Sequence, residues 1–147
     1  MKNKILLMFV FVLSAIGFAQ EAVTWKNLSK VTFEDKYFPE YDAIFLHPTF
    51  SDSVKALEGK ELTITGYFLS IDPEKEFYVL SKGPMNACFF CGVGGPETAI
   101  ELQFTSDPKF KTDDIITVTG KFKLNSVDVR HFNYIFTEPK GQLVNKK

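Results

Sequence analysis

The sequence predicts an all-β fold, a five-stranded OB-like Greek-key barrel that follows an irregular N-terminal segment. Beyond Gly59, five segments alternate apolar and polar residues or are rich in β-branched and aromatic residues, as strands are. Two of them share a motif, Ile64-Thr-Gly-Tyr-Phe68 and Val118-Thr-Gly-Lys-Phe122. A glycine inside a long strand permits the coiling by which one strand serves both sides of a small closed barrel. A sandwich of similar strand content is the alternative.

Turn signals separate the predicted strands. Asp-Pro pairs at residues 72–73 and 107–108 mark two of the turns. The predicted strands cover residues 61–70, 76–81, 98–104, 114–124 and 132–136. We therefore expect one barrel domain at 58–140, followed by a polar C-terminal tail at 141–147.

The segment at 20–57 carries mixed signals and is predicted to be irregular and to pack on the barrel. Trp25 supplies an apolar contact for this packing. Phe38 and His47 each precede a proline, which disfavours helix at those positions. Ser51 is a plausible N-cap, so one or two helical turns are expected after it.

The first 19 residues predict a secretory signal peptide. Lys2 and Lys4 precede an apolar run at residues 5–16, and Gly17 and Ala19 occupy the −3 and −1 positions of a small-x-small cleavage site. The apolar run is shorter than the ~20 residues that span a bilayer, and an uncleaved anchor is the alternative. We therefore expect a secreted or periplasmic protein with no membrane span after signal cleavage.

Charge and composition limit the classes of partner and activity. The chain has 17 Lys and Arg residues against 18 Asp and Glu residues, and loss of Lys2 and Lys4 with the signal peptide leaves an excess of three acids. A mildly acidic chain lacks the basic face that phosphate backbones attract, so we expect no nucleic-acid partner. No Ser/His/Asp set and no carboxylate pair has the spacing of a hydrolase, so we expect no enzyme.

The stretch from Met85 to Glu97 holds both cysteines and three of the nine glycines of the chain. Cys88 and Cys91 have the C-x-x-C spacing that redox dithiols and half of many zinc sites use. Haem attachment is excluded, because Gly92 occupies the position of the required histidine. A metal site needs further ligands, for which the sequence offers His47, His131, Glu97 and Glu101.

Three interpretations of the cysteine pair stay open. It binds a zinc-like metal ion together with a histidine, it forms a disulfide that shapes the loop of a protein-interaction module, or it exchanges disulfides as an oxidoreductase. A Cys88–Cys91 bond closes a very small ring and restricts the unfolded chain little, so stabilisation alone explains the pair poorly. An oxidoreductase thiol usually lies at a helix N-terminus, whereas predicted strands flank this loop.

Several motifs resemble those of a known family. They are Trp25-x-x-Leu28, the run from Leu57 to Tyr67, Phe77-Tyr-Val-Leu80, and Cys88 with the glycine and proline run that ends at Glu97. They are similar to a family of secreted bacterial proteins of unknown function with an OB-like barrel and a cysteine loop between the second and third strands. In that family a histidine follows the cysteine two residues later, and then several prolines. This chain has Phe90, Cys91 and glycines instead.

The resemblance implies metal handling or an accessory role in an envelope transport system, because some members accompany zinc-responsive transport genes. We therefore expect a secreted envelope protein that binds a zinc-like ion and has envelope transport proteins or other envelope proteins as partners. The expected ligands are Cys88 and Cys91 as thiolates, His131 or His47 as a third ligand, and Glu97 as a carboxylate ligand or close neighbour.

Overall fold

The structure is a computed structural model that describes residues 20–145. The predicted signal peptide at 1–19 lies outside the described residues, as do the last two residues of the predicted tail. The described part of the chain is mostly β-strand, which confirms the predicted all-β class. No helix within residues 20–145 is long and apolar enough to cross a membrane.

The described residues form eight strands and two single-turn α-helices. The strands are β1 (Glu21–Ala22), β2 (Val31–Phe38), β3 (Ala43–Phe50), β4 (Glu61–Asp72), β5 (Phe77–Ser81), β6 (Ala99–Gln103), β7 (Ile115–Leu124) and β8 (Tyr134–Asn145), and the helices are α1 (Trp25–Leu28) and α2 (Asp52–Lys55). All five predicted strands are present, as β4 to β8. β8 runs past residue 140 and pairs there with β7, so most of the predicted tail is strand.

One mixed sheet contains six of the strands, in the order β1, β4, β5, β6, β8 and β7. Because β4 also pairs with β7, the pairings join the five strands from β4 through β8 into a closed ring, which we call the circuit. Within the circuit β6 and β8 are parallel and the other neighbours are antiparallel. β1 adds to β4 in parallel. The circuit therefore has an enclosed inner face and an outer face.

β4 is long enough to pair with two neighbours in succession. Residues 61–67 pair with β7, and residues 67–72 pair with β5, as expected for a long strand that pairs with neighbours on two sides of a small barrel. Gly66 lies next to this change of partner. A Cβ atom at Gly66 would lie 2.6 Å from the carbonyl oxygen of Ser81 and 3.0 Å from the Trp25 ring. Glycine is therefore required here by close approach.

The two glycine-containing strands differ in where they bend. β4 changes register between Ser70 and Asp72 and not at Gly66, so the predicted kink at that glycine is displaced toward the end of the strand. β7 does change register around its glycine, between Thr119 and Lys121. An irregularity of this kind bends a strand and increases its twist, which helps the circuit to close.

Aromatic and aliphatic side chains fill the inside of the circuit. Among the largest fully buried ones are Tyr134, Phe68, Phe122, Phe136, Leu62 and Leu80. The hydroxyl of Tyr134 donates a hydrogen bond of 2.6 Å to the carbonyl oxygen of Leu28. The Trp25 indole donates to the carbonyl oxygen of Thr65 at 2.9 Å. These two bonds fix α1 against the circuit.

The N-terminal segment is more regular than predicted. β2 and β3 pair antiparallel over eight residues each and form a separate two-stranded sheet. Pro48 lies within β3 opposite Phe33, and Pro39 lies in the turn between the strands. Proline is tolerated in an edge strand, because the open side of the strand needs no backbone N–H for pairing. The prolines exclude helix, as predicted, but they do not exclude strand.

A second, smaller apolar cluster covers the outer face of the circuit. Its buried members are Leu69, Val79, Cys88 and Ala99. Half-buried aromatic rings pack around them, among them Phe77, Phe89 and Phe132. We call this group the outer cluster. The outer cluster places Cys88 against the sheet.

Candidate functional site

The two cysteines lie in the loop that connects β5 to β6. Three 3₁₀ turns fold this loop, at Met85–Ala87, Phe89–Cys91 and Pro96–Thr98. Gly92 and Gly94 have φ angles of 74° and 87°, in the left-handed region that glycine adopts without strain. The backbone N–H of Met85 donates to the Asp113 side chain at 2.7 Å. The loop is therefore anchored to the residues that precede β7.

Both thiols donate to one acceptor, the carbonyl oxygen of Met85. The Cys88 sulfur lies 3.0 Å from this oxygen, and the Cys91 sulfur lies 2.9 Å from it. Cys88 is 1% exposed and belongs to the outer cluster, whereas Cys91 is exposed. The two free thiols are therefore close together, and solvent reaches the pair from the Cys91 side.

Cys91 is not an activated thiol. Its pKa is raised above the ordinary thiol value, first by desolvation of the thiol and then by its hydrogen bond with the Cys88 thiol. A raised pKa keeps the thiol protonated at neutral pH, whereas a nucleophilic cysteine has a lowered one. The raised pKa therefore disfavours rapid thiol exchange at Cys91.

His131 lies in a different network, with Glu101 of β6. Its Nδ1 is 2.8 Å from Oε1 of Glu101, a side chain that is 6% exposed. The same carboxylate accepts hydrogen bonds from the Phe132 backbone N–H at 3.0 Å and from the Gln103 amide at 2.8 Å. Because the carboxylate accepts, Nδ1 is the donor, and Nε2 of a neutral ring carries the lone pair. Within the described residues Nε2 has no hydrogen-bond partner.

The other two predicted ligands lie elsewhere in the molecule. His47 is in β3, with its ring centroid 6.3 Å from that of Phe38. Its Nδ1 is buried and has no hydrogen-bond partner among the residues that the structure describes. Glu97 folds its carboxylate back onto Gly95, in a turn that contacts α1. Neither residue joins the thiol pair.

The described residues contain no group of three or more His, Cys, Asp or Glu side chains that could hold one metal ion. The structure brings Cys88 and Cys91 together, and it does not bring His131, His47 or Glu97 to them. The five-residue ligand set stays a prediction of the sequence. Within residues 20–145, two of its members, Cys88 and Cys91, lie close together.

A groove of about 470 Å³ lies beside His131. One wall is the β2–β3 hairpin, which contributes Ile44 and Leu46, and a second wall is the loop at 125–133. The rings of Phe77 and Phe89 also line it. The volume lies within the range of small-molecule sites, which are mainly apolar with a few polar groups.

Asn125 holds the loop that forms this second wall. Its Nδ2 donates to the carbonyl oxygens of Asp128, His131 and Phe132, and its Oδ1 accepts from the backbone N–H groups of Val127 and Asp128. Sequence reasoning missed this residue. The Asn-x-x-Asp spacing is the available signal, because asparagine side chains bind the backbone of the turn that follows them.

Comparison of the chain with family models, with curated proteins and with solved structures gave no match. The resemblance drawn from its motifs stays a prediction.

Proposed function

We propose that this chain is an exported, non-enzymatic binding protein of the cell envelope that handles a zinc-like metal ion through Cys88 and Cys91. The observation that carries this proposal is the convergence of both thiols on the carbonyl oxygen of Met85. Adjacent sulfur donors are the ligands that zinc and other thiophilic ions prefer. A bound cation displaces the thiol protons, so the raised pKa of Cys91 is compatible with binding at neutral pH.

We propose an OB-like Greek-key barrel as the fold that carries the site. Numbered in chain order, the five strands of the circuit pair as 1-2-3-5-4-1, with the third and fifth strands parallel. The successive pairing of β4 with β7 and β5 supplies the closure that a five-stranded barrel needs. The cysteine loop is then the connection between the second and third barrel strands.

Two thiolates complete only half of a tetrahedral zinc site. Structural zinc sites have four protein ligands, whereas sites that exchange ligands keep a position open. No third side chain within residues 20–145 joins Cys88 and Cys91, so water or a partner's side chains complete the coordination. This incomplete set suits a protein that passes an ion to an envelope transport protein.

The test is a zinc titration of reduced protein with a count of alkylatable thiols. We expect an equimolar amount of zinc to protect both thiols, since both sulfurs bind the ion. Cys88→Ser and Cys91→Ser should each weaken binding by roughly tenfold or more, the equivalent of at least about 1.4 kcal/mol. His131→Ala is the matched control and should bind zinc as the unmodified chain does, because His131 does not join the thiol pair within residues 20–145.

Unchanged thiol reactivity together with no bound metal in elemental analysis would sink the metal proposal. A loss of affinity in His131→Ala as large as that in Cys91→Ser would replace the two-thiol site with the larger ligand set that the sequence predicts. The first result tests whether the thiols bind metal, and the second tests whether His131 is a further ligand.

A protein-interaction module with a Cys88–Cys91 disulfide is the second candidate, because sulfurs that share one acceptor are also placed to pair. Mass spectrometry of protein taken from its native compartment distinguishes the two. A mass lower by two hydrogens, with metal absent, supports the disulfide. The thiol–disulfide oxidoreductase alternative has less support, because the pKa of Cys91 is raised and not lowered.

A further inference from the structure

The groove beside His131 has flat apolar surfaces on two sides. Phe132 stacks on Phe77 with ring centroids 5.8 Å apart and planes 24° apart, and it meets Phe89 edge-on at 6.0 Å. On the hairpin side Phe38 and Phe45 pack edge-to-face at 5.9 Å. All five rings line the groove. Aromatic walls of this kind favour a flat apolar ligand.

The groove also carries one oriented polar group. Glu101 fixes the His131 ring through Nδ1, so Nε2 of the neutral ring is a hydrogen-bond acceptor, and His131 lines the groove. The carboxylate is itself held by the Phe132 backbone and the Gln103 amide, so the imidazole cannot turn without breaking a buried network. A ligand that meets this acceptor has to supply an O–H or N–H donor.

The charges at the groove disfavour anionic ligands. Arg130 is the lining cation, and its guanidinium makes two hydrogen bonds to Asp128, of 2.9 Å and 2.8 Å. This two-point pairing neutralises the guanidinium at the rim. Glu101 lies behind His131 and adds negative charge. An anionic ligand therefore finds no unpaired cation to bind, whereas a neutral donor is complementary to the site.

We infer that this groove is a binding site for a small neutral molecule with one flat aromatic or similar apolar body and one O–H or N–H donor. The body lies between the hairpin and the Phe132 side of the groove, and the donor binds Nε2 of His131. This site is separate from the thiol pair, because neither cysteine lines the groove. It does not depend on metal binding.

The experiment uses three matched probes with one naphthalene body: 2-naphthol, 2-methoxynaphthalene and 2-naphthoate. Binding to the isotopically labelled protein is followed by changes in backbone amide NMR signals. We expect 2-naphthol to bind saturably and to shift signals of β3 and of residues 125–133. Capping its hydroxyl as the methyl ether should weaken binding roughly tenfold, since one buried hydrogen bond is lost. The anion 2-naphthoate should bind more weakly than 2-naphthol.

Two variants with exposed side chains locate the site. His131→Ala should abolish the preference for 2-naphthol over its methyl ether while retaining weak binding of both. Leu46→Arg should weaken all neutral probes, because a charged side chain then enters the apolar wall. Cys91→Ser is the control and should bind the probes as the unmodified chain does.

Equal affinity for 2-naphthol and its methyl ether would overturn the inference, as would tighter binding of 2-naphthoate. Signal changes confined to surfaces other than the groove would also overturn it. These outcomes leave the zinc titration unaffected, so failure here is distinguishable from failure of the metal proposal.

Discussion

The two faces of β4 and β5 both carry buried apolar residues, but different parts of the molecule cover the two faces. On the inner face, Phe68 and Leu80 are enclosed by the five strands of the circuit. On the outer face, Leu69 and Val79 are equally buried, but they cluster with residues of the cysteine loop and with Phe132. The inner core therefore depends on closure of the circuit, and the outer cluster depends on the cysteine loop and on the loop that carries Phe132.

Because of this difference, the stability of the whole fold and the local order of the cysteine loop should depend on different residues. A protein unfolds locally where few buried contacts hold a segment, and it unfolds globally when its main core is broken. Loss of an outer contact should release the cysteine loop while the circuit stays folded. Loss of an inner contact should lower the stability of the whole molecule.

The largest effect is expected from Phe122→Ala in the inner core. Phe122 is 1% exposed, and its ring packs 5.5 Å from that of Tyr134 and 5.9 Å from that of Phe136. Removing such a ring leaves a cavity and costs about 3–5 kcal/mol of unfolding free energy. Urea denaturation followed by circular dichroism measures this loss. Val127→Ala is the exposed control, and its expected change is within about 0.5 kcal/mol.

A smaller but more local effect is expected from Leu69→Ala in the outer cluster. With Cys91 replaced by serine, alkylation of Cys88 under native conditions reports opening of the loop. Loss of the Leu69 contact should raise the alkylation rate of Cys88 by roughly tenfold or more, because about 1.4 kcal/mol of local stability corresponds to a factor of ten.

Leu80→Ala is the matched control, because Leu80 is equally buried and faces the inner core. It should lower the urea midpoint by more than Leu69→Ala does and accelerate Cys88 alkylation by less. If both variants accelerate alkylation equally, the loop opens only with the whole fold and the contrast between the two faces is wrong.

The smallest effect is expected at the rim of the groove, where Arg130 lowers the pKa of Asp128 through hydrogen bonds. Because the folded pKa is below the ordinary carboxyl value of about 4, the pair stabilises the fold above that pH. The stabilisation is lost as the pH falls through the folded pKa. Asp128→Asn should therefore show a shallower acid-induced decline of the urea midpoint than the unmodified chain.

The pair is largely exposed, so the difference should be small and should shrink further in high salt. Glu40→Gln, at an exposed position in the hairpin turn, is the control and should follow the pH profile of the unmodified chain. A profile of Asp128→Asn identical to that of the unmodified chain would show that the rim pair adds nothing to stability.

β4 and β7 were predictable because apolar residues of their inner faces alternate with more polar residues along the chain. β7, for example, alternates buried and less buried positions over its whole length. The hairpin was not predictable in this way, because residues 34–37 of β2 are all exposed and carry no alternation. Its two prolines added a misleading signal, since they are compatible with an edge strand.

The closeness of the two thiols could be predicted from the C-x-x-C spacing, because the interaction is local. The pairing of His131 with Glu101 could not, since 30 residues separate them and the contact depends on the parallel register of β6 and β8. One signal was present in the sequence. Glu101 lies between Ile100 and Leu102 in β6, and a carboxylate buried there requires hydrogen-bond donors.

Closure of the circuit has a consequence for self-association of the protein. Strands that pair on both sides offer no free backbone groups to another molecule, so the open edges of the described chain lie mainly in the β2–β3 hairpin. The hairpin carries Glu34, Asp35 and Lys36 in one strand and Pro48 in the other, and charges and prolines of this kind discourage edge-to-edge growth. Replacing these residues by apolar ones should therefore promote association of the protein through the hairpin edges.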